Sequence, residues 1–256
     1  MELDGVTLDA VAAGEQFLAG VVRVRPGSLE HEVVAVQADG VQWRAPHRNV
    51  TAVALSADGL AAAASSQAVA IFDARTGRLL RQVPLAGTRY ADLAFFPGGL
   101  LAIAQKTTAG DLQLTGIDAR TGRRRWSLSL GPTAVPILQA AGGSIVVSDF
   151  RGRVGAVVSL SGALQGRWTD AQGPVFVAGS PRGEIAVAIG PNVVVRTPSD
   201  RARWRGTMPG TVLGLQLDGP WLAAVGTADR NSSTPDRIWF ARTDRSAALP
   251  GGGNPR

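Results

Sequence analysis

The side chains able to perform acid–base or nucleophilic chemistry are few in this sequence. Only two histidines occur, His31 and His47, and neither lies in a nucleophile motif, so no Ser-His-Asp arrangement is indicated. Cysteine is absent, which excludes disulfides, thiolate metal sites and a cysteine nucleophile. The residue types therefore predict a protein without catalytic residues.

Carboxylates that could hold a metal ion are scattered. The predicted innermost strands offer chiefly Asp9 and Asp92, whereas calcium takes roughly six to eight oxygen ligands. A glycine run at 251–253 lies between Pro250 and Pro255 in a predicted flexible tail, 250–256, and not before a helix, so it does not indicate a phosphate-binding loop. We expect no metal and no cofactor.

The net charge of +6 comes almost wholly from arginine, with Lys106 as the one lysine. A basic surface attracts anionic partners such as nucleic acid or acidic lipid, although an arginine bias is also produced by genome base composition. Nucleic acid is disfavoured because aromatic residues, which form the stacking platforms of such proteins, make up only 5% of the chain.

The beginning of the sequence lacks the basic residues and apolar run of a secretory signal, and no apolar stretch reaches the length of about 18 residues that a membrane span requires. These features predict a cytoplasmic protein without a transmembrane segment. Export is the alternative, for a chain from which a signal has been removed.

An internal repeat is the strongest pattern in the sequence. The segment Val69–Arg78 returns as Leu114–Arg123, an offset of 45 residues from Asp73 to Asp118. Weaker copies of the turn precede three tryptophans and end the series near Arg242–Arg245; the tryptophans are Trp43, Trp168 and Trp204. Six turns at a spacing of roughly 36 to 45 residues match the period of propeller blades.

Each repeat contains four short apolar runs separated by tight turns. In the second repeat these runs are Val50–Leu55, Leu60–Ala64, Ala68–Phe72 and Leu79–Leu85. Four strands per repeat predict an all-β fold, a single β-propeller of about six four-stranded blades, with five or seven as alternatives. The propeller is expected to span 1–249, with blades at about 1–46, 47–86, 87–131, 132–170, 171–206 and 207–249.

The run Asp118-x-x-x-Gly122-x-x-x-Trp126 resembles the tryptophan-docking repeat of PQQ-type propellers, the quinoprotein dehydrogenase-like family; WD-repeat propellers are the second choice. Asp73 and Gly77 repeat the motif with Arg81 in place of the tryptophan. The resemblance implies a blade-packing role for one set of residues: Trp43, Asp73, Gly77, Asp118, Gly122, Trp126, Trp168 and Trp204. It does not imply quinone chemistry, because the chain is shorter than the quinoprotein dehydrogenases and has no cysteine pair.

Long connections between second and third strands are predicted at 23–32, 105–113 and 227–237, on the face that also carries the inter-blade connections. Loops on a regular scaffold are often functional, so this face is the predicted partner-binding surface. Its candidate residues are Arg23, Arg25, His31, His47, Arg48, Arg89, Tyr90, Lys106 and Arg230.

Two classes of function remain open at the level of sequence. The first is a non-enzymatic scaffold, expected to be monomeric, that binds a protein or peptide on this face. The alternative is a ligand-sensing or hydrolytic propeller with a small-molecule site at the channel mouth. Fold alone does not decide between them. The absence of recognisable site chemistry favours the scaffold.

Overall fold

The computed structural model describes residues 8–13, 18–23, 30–37, 40–85, 91–149, 151–169, 174–197, 201–227 and 237–244. For residues 8–13, 18–23, 30, 36, 37 and 40 the description covers the backbone alone. The chain divides into two compact units. Unit 1 comprises Met1–Gly131 together with Leu160–Gly162, and unit 2 comprises Pro132–Ser159 and Ala163–Arg256.

Unit 1 contains three antiparallel sheets of four strands, in which each strand pairs with the next along the chain. Blade 1 consists of β1 (Leu8–Ala13), β2 (Leu18–Arg23), β3 (Glu30–Gln37) and β4 (Gly40–Arg48). Blade 2 consists of β5 (Val50–Leu55), β6 (Leu60–Ser65), β7 (Ala68–Asp73) and β8 (Leu79–Pro84). Blade 3 consists of β9 (Ala91–Phe96), β10 (Leu100–Lys106), β11 (Asp111–Asp118) and β12 (Arg124–Pro132), with a single 3-10 turn at Pro97–Gly99.

Unit 2 repeats the pattern. Blade 4 consists of β13 (Pro136–Ala141), β14 (Ser144–Asp149), β15 (Val154–Ser159) and β16 (Leu164–Thr169). Blade 5 consists of β17 (Val175–Gly179), β18 (Ile185–Ile189), β19 (Asn192–Arg196) and β20 (Ala202–Thr207). Blade 6 has three described strands, β21 (Thr211–Asp218), β22 (Trp221–Thr227) and β23 (Arg237–Arg242). The sheets confirm the predicted all-β propeller class of about six blades.

The middle strands of each blade form the core. β6 and β7 are buried along almost their whole length, as are β14 and β15, because apolar residues fill consecutive positions and both faces of the sheet are covered. Outermost strands such as β8 and β16 are largely exposed. The innermost strand β5 contacts β1 and β9 in unit 1, and β17 contacts β21 in unit 2.

A one-residue β-bulge interrupts the pairing of four outermost strands. The register between the third and fourth strand shifts in blades 1, 2, 4 and 5. The residue paired directly after the extra one is called the docking position below. It is occupied by Trp43 in blade 1, Arg81 in blade 2, Gly166 in blade 4 and Trp204 in blade 5. Since Trp126 has the same spacing from Asp118 as Arg81 has from Asp73, Trp126 is the counterpart in blade 3.

Two sequence-based expectations about loops are wrong. His47 and Arg48 are the last residues of β4, where the extended apolar-polar alternation continues, and not part of an inter-blade connection. The predicted long connection at 105–113 is a tight turn of four residues, because β10 and β11 extend into it and the Thr107 amide donates to the carbonyl of Asp111 at 2.9 Å.

Other predictions about segments fall outside the described residues. The remaining two long connections lie mainly in 24–29 and 228–236, and the predicted last strand near 246–249 and the tail lie beyond residue 244. The domain and blade boundaries stay predictions, apart from the boundary at 46, which falls inside β4. In the part of the chain that the structure describes, no helix has the length and apolar character to cross a membrane.

Candidate functional site

The junction between blades 1 and 2 is closed by a tryptophan at the docking position. The half-buried Trp43 donates from Nε1 to the carbonyl of Ala74 at 2.7 Å, in the turn between β7 and β8. A Cβ added to Gly77 in that turn would lie 2.6 Å from Cδ2 of Trp43, and the φ of Gly77 is +69°. The turn therefore needs glycine for both its conformation and the approach of the indole.

Two further junctions use the same contact. Trp126 donates from Nε1 to the carbonyl of Leu160 at 2.9 Å, and a Cβ on Gly162 would lie 2.6 Å from Cγ of Trp126. Between blades 2 and 3, Arg81 donates from Nε to the carbonyl of Arg120 at 2.6 Å. An arginine thus takes the place of the tryptophan, since its alkyl chain packs and its guanidinium donates.

The carboxylates of the repeated turns serve the turns themselves. Oδ1 of Asp73 accepts hydrogen bonds from the amide and hydroxyl of Thr76, and Oδ1 of Asp118 accepts the same pair from Thr121. The hydrogen bond to Thr76 lowers the pKa of Asp73, and the ion pair with Arg125, 2.6 Å from Oδ2, holds the pKa of Asp118 far below its usual value. Both groups are ionised at neutral pH, which fits them to a structural role and not to proton transfer.

Four of the predicted partner-binding residues meet at one end of the blade 1 sheet. In the register of the strands, Arg23 of β2 faces His31 of β3, and His31 faces His47 of β4; Arg48 follows at the end of β4. The side chains of His31, His47 and Arg48 line a cavity of about 650 Å³ between blades 1 and 2, called the His cleft. The other lining residues are Glu32, Pro46, Ser65, Gln67, Ala68 and Gln82.

The two histidines of the His cleft differ in burial. His31 is buried, with 6% of its surface exposed, and His47 is half-buried. Burial lowers the pKa of His47, and the positive charge that His31 can carry lowers it further. His47 is therefore neutral at pH 7. The carboxylate of the cleft, Glu32, is paired with Arg44 at 3.1 Å, while Arg48 is exposed at the rim.

The remaining candidate residues are not brought to the His cleft. Lys106 is the last residue of β10, half-buried, at the corresponding end of blade 3. Arg25, Arg89, Tyr90 and Arg230 lie outside the described residues. Among the side chains that the structure describes, no three histidines, aspartates or glutamates are grouped so that they could hold a metal ion.

The docking position carries a tryptophan side chain in blade 5 and no side chain in blade 4. Trp204 is 3% exposed and packs in a cluster with Leu217 and Leu222 of blade 6. In blade 4 the position is Gly166, which has no side chain, and Trp168 lies two residues further along β16. A Cβ on Gly166 would lie 2.7 Å from Cη2 of Trp168, so the indole covers its own strand.

A second cavity, of about 790 Å³, lies where the docking side chain of blade 4 is absent; it is called the arginine cleft. Its lining includes Arg167, Arg182 and Arg196, none of which the sequence analysis singled out. Trp168 is predicted from the sequence to be the packing tryptophan of this repeat, whereas both the pairing register and the four-residue spacing from Gly162 give Gly166 as the docking position. The glycine in an outermost strand was the available signal.

Comparison with known proteins finds a matching family model and similar solved structures. The family model described as outer membrane protein assembly factor BamB matches residues 29–232, most of the chain. Among solved structures, the crystal structure of BamB from Moraxella catarrhalis is similar, with 13% sequence identity over 86% of this chain and 80% of that chain and a TM-score of 0.46. No match is found among curated proteins.

Proposed function

The chain belongs to the family described as outer membrane protein assembly factor BamB, and from that premise we propose that it is a non-enzymatic scaffold that binds a protein through the His cleft. The observation that supports this proposal is the convergence of Arg23, His31, His47 and Arg48 at one end of a sheet. A rigid sheet holds these groups in place, which lowers the entropic cost of binding.

The composition of the His cleft suits a polypeptide. Its side chains include two exposed amides, Gln67 and Gln82, which can donate to and accept from a peptide backbone. Arg48 adds an exposed guanidinium, and arginine is enriched at the energetically dominant positions of protein interfaces.

Hydrolysis at the His cleft is less well supported. A catalytic histidine needs a group that orients it and a nucleophile beside it. Glu32, the carboxylate of the cleft, is engaged by Arg44, and the hydroxyl of Ser65 is hydrogen-bonded to the backbone of Gln67 and Ala68. Binding by hydrogen bonds requires none of these roles.

We also propose that this protein is exported from the cytoplasm. A factor in outer membrane protein assembly works at that membrane, so membership of the family favours export over the cytoplasm. Cell fractionation with an antibody against the native protein tests this. Recovery with cytoplasmic markers alone would contradict it.

Capture from native cells tests the scaffold proposal. The tagged chain and its Arg48→Glu variant are used as bait at low and at moderate salt, with Arg75→Glu as the matched control, because Arg75 is exposed in the turn between β7 and β8. We expect a protein that the parent chain and Arg75→Glu retain at both salts and that Arg48→Glu loses, with unchanged thermal midpoints. Equal retention by all three baits would exclude the His cleft as the binding surface.

A further inference from the structure

The arginine cleft is a site that the proposed scaffold function does not use. All its described lining residues belong to blades 4 and 5. In the closed junctions an indole or a guanidinium occupies the docking position, whereas Gly166 leaves the space free. The cleft is therefore a consequence of one missing side chain.

The cleft runs along the open edge of a sheet. Four consecutive residues of β16, 165–168, line it, although successive side chains of a strand point to opposite faces. Val157 of β15 and Ile185 of β18 also line the cleft, so it lies between the facing sheets of blades 4 and 5 and extends to the outermost strand β16. Among the described strands, β16 is hydrogen-bonded to β15 alone, so its outer edge presents backbone donors and acceptors.

Three arginines are the charged residues in the described lining of the cleft. Arg167 belongs to β16, Arg182 to the turn before β18, and Arg196 to the end of β19, so three separate elements bring guanidinium groups to one space. Among the lining residues that the structure describes, none is an aspartate or a glutamate. The carboxylate next along the chain, Glu184, is hydrogen-bonded to Arg203.

An apolar floor accompanies these charges. Trp168, Val157 and Ile185 line the cleft below the arginines, and Trp168 is half-buried. A ligand that fits must therefore combine anionic groups with apolar ones. Arginine recognises carboxylates by paired hydrogen bonds, and the energy of such contacts is larger than that of neutral ones.

We propose that the arginine cleft binds an extended acidic peptide segment of a partner protein, which pairs with the outer edge of β16 and places its carboxylates on Arg167 and Arg182. Strand addition at a sheet edge is a common mode of peptide recognition, in which the backbone supplies affinity and alternate side chains supply specificity. A second copy of this chain fits less well, because its own β16 would bring arginine against arginine.

The proposal is tested by fluorescence anisotropy at about 0.15 M salt. The probe is a fluorescein-labelled eight-residue peptide of alternating glutamate and valine, and the same peptide with glutamine in place of glutamate is the neutral control. We compare the parent chain with the double variant Arg167→Gln/Arg182→Gln. The matched control is Arg151→Gln/Arg205→Gln, which removes the same charge from two exposed positions of unit 2 outside the lining of the cleft.

We expect the acidic peptide to bind and the neutral one to bind at least about tenfold more weakly. The cleft variant should weaken binding of the acidic peptide by a similar factor, while the control variant changes it by less than about twofold. Equal losses in both variants would overturn the proposal, because binding would then reflect the overall charge of the surface. Unchanged far-ultraviolet circular dichroism confirms that the variants are folded.

Two further probes separate strand pairing from simple charge attraction. A glutamate–valine peptide N-methylated at every second residue cannot donate along one edge, and we expect it to lose most of its affinity. Equal binding of this peptide would overturn the pairing with β16. Displacement of the labelled peptide by free citrate at the concentration of the peptide itself would also overturn the proposal, since the cleft would then be a site for small anions.

Discussion

The junction between blades 1 and 2 and the junction between blades 4 and 5 have the same strand order and differ at the docking position. In the first, Trp43 follows the bulge of β4 and donates to the carbonyl of Ala74 across the junction. In the second, Gly166 follows the bulge of β16 and the space is a cavity of about 790 Å³. A single side chain on the outermost strand thus decides whether neighbouring blades are sealed or leave a cleft.

The turn that faces the docking position, before the outermost strand of the next blade, also differs between the two junctions. The turn of blade 2 has Gly77 at a φ of +69°, against the ring of Trp43. The turn of blade 5, which runs from Thr197 to Arg201, contains no glycine and is closed by the amide of Thr197 donating to the carbonyl of Arg201. Both partners of the docking contact have therefore changed together in blades 4 and 5.

The largest effect is expected where a side chain is forced into a sealed junction. Gly77→Ala places a Cβ in left-handed backbone, at roughly 1 to 3 kcal/mol, and into the ring of Trp43, at about as much again. We expect a loss of about 4 kcal/mol in the free energy of unfolding measured with urea. Gly59→Ala is the control, because Gly59 has a φ of +77° but an open surrounding, and it should cost about 1 kcal/mol. Equal losses would mean that docking does not constrain the turn.

Removal of the indole itself compares the two kinds of junction directly. Trp126→Ala deletes the ring that packs on Gly162 and the donor to Leu160, and should cost about 3 kcal/mol. Trp168→Ala removes a ring that borders a cavity on one side and packs on the core of blades 4 and 5 on the other, so a smaller loss of about 2 kcal/mol is expected. Urea denaturation of both variants measures the difference. The comparison fails if Trp168→Ala is the more costly substitution.

The junction of blades 2 and 3 tests whether the donor is what matters. Arg81→Met keeps much of the alkyl chain and removes the N–H that donates to the carbonyl of Arg120, so we expect a loss of about 1 kcal/mol. Arg81→Trp supplies a new indole donor at the docking position and should recover most of that loss. No recovery in thermal or urea unfolding would show that this junction has become specific for arginine.

The smallest effect concerns the other end of the junction of blades 1 and 2, which opens into the His cleft. The folded protein lowers the pKa of His47 below its ordinary value of 6.5, so the unfolded chain binds a proton more readily. Stability should therefore fall as the pH drops through 6.5 towards the lowered value, and this part of the pH dependence should be absent in His47→Gln. Parallel curves for the two proteins, in thermal unfolding between pH 7 and pH 5, would contradict the assignment.

The sequence predicts the blades well because their signals are local. Apolar runs, glycine turns and the exact repeat of Asp73–Arg78 at Asp118–Arg123 lie within a few residues, and the strands of blade 2 match the predicted runs to within one residue at each end. The replacement of a tryptophan by Arg81 is also visible from spacing. Its donation to Arg120 follows from the three-dimensional arrangement alone.

The sequence could not predict what depends on register. The docking position of blade 4 is not such a case, because Gly166 follows Gly162 by four residues, as Trp126 follows Gly122, whereas Trp168 follows it by six. The convergence of Arg167, Arg182 and Arg196 depends on contacts between blades, which no local pattern encodes. The ends of strands were predicted less well for a related reason. β4 continues through His47 because His31 of β3 pairs with it.

The two identical turns of blades 2 and 3 have a consequence for how such a chain can change its length. The carbonyl of Ala74 accepts the hydrogen bond of Trp43. Ala119 has the same place as Ala74 in the identical six-residue turn of blade 3. If the whole of blade 2 were deleted, Trp43 would meet an acceptor of the same chemistry with a glycine, Gly122, at the place of Gly77. These turns are interchangeable connectors, which equips the gene to gain or lose a blade by recombination without redesign of the neighbouring blades.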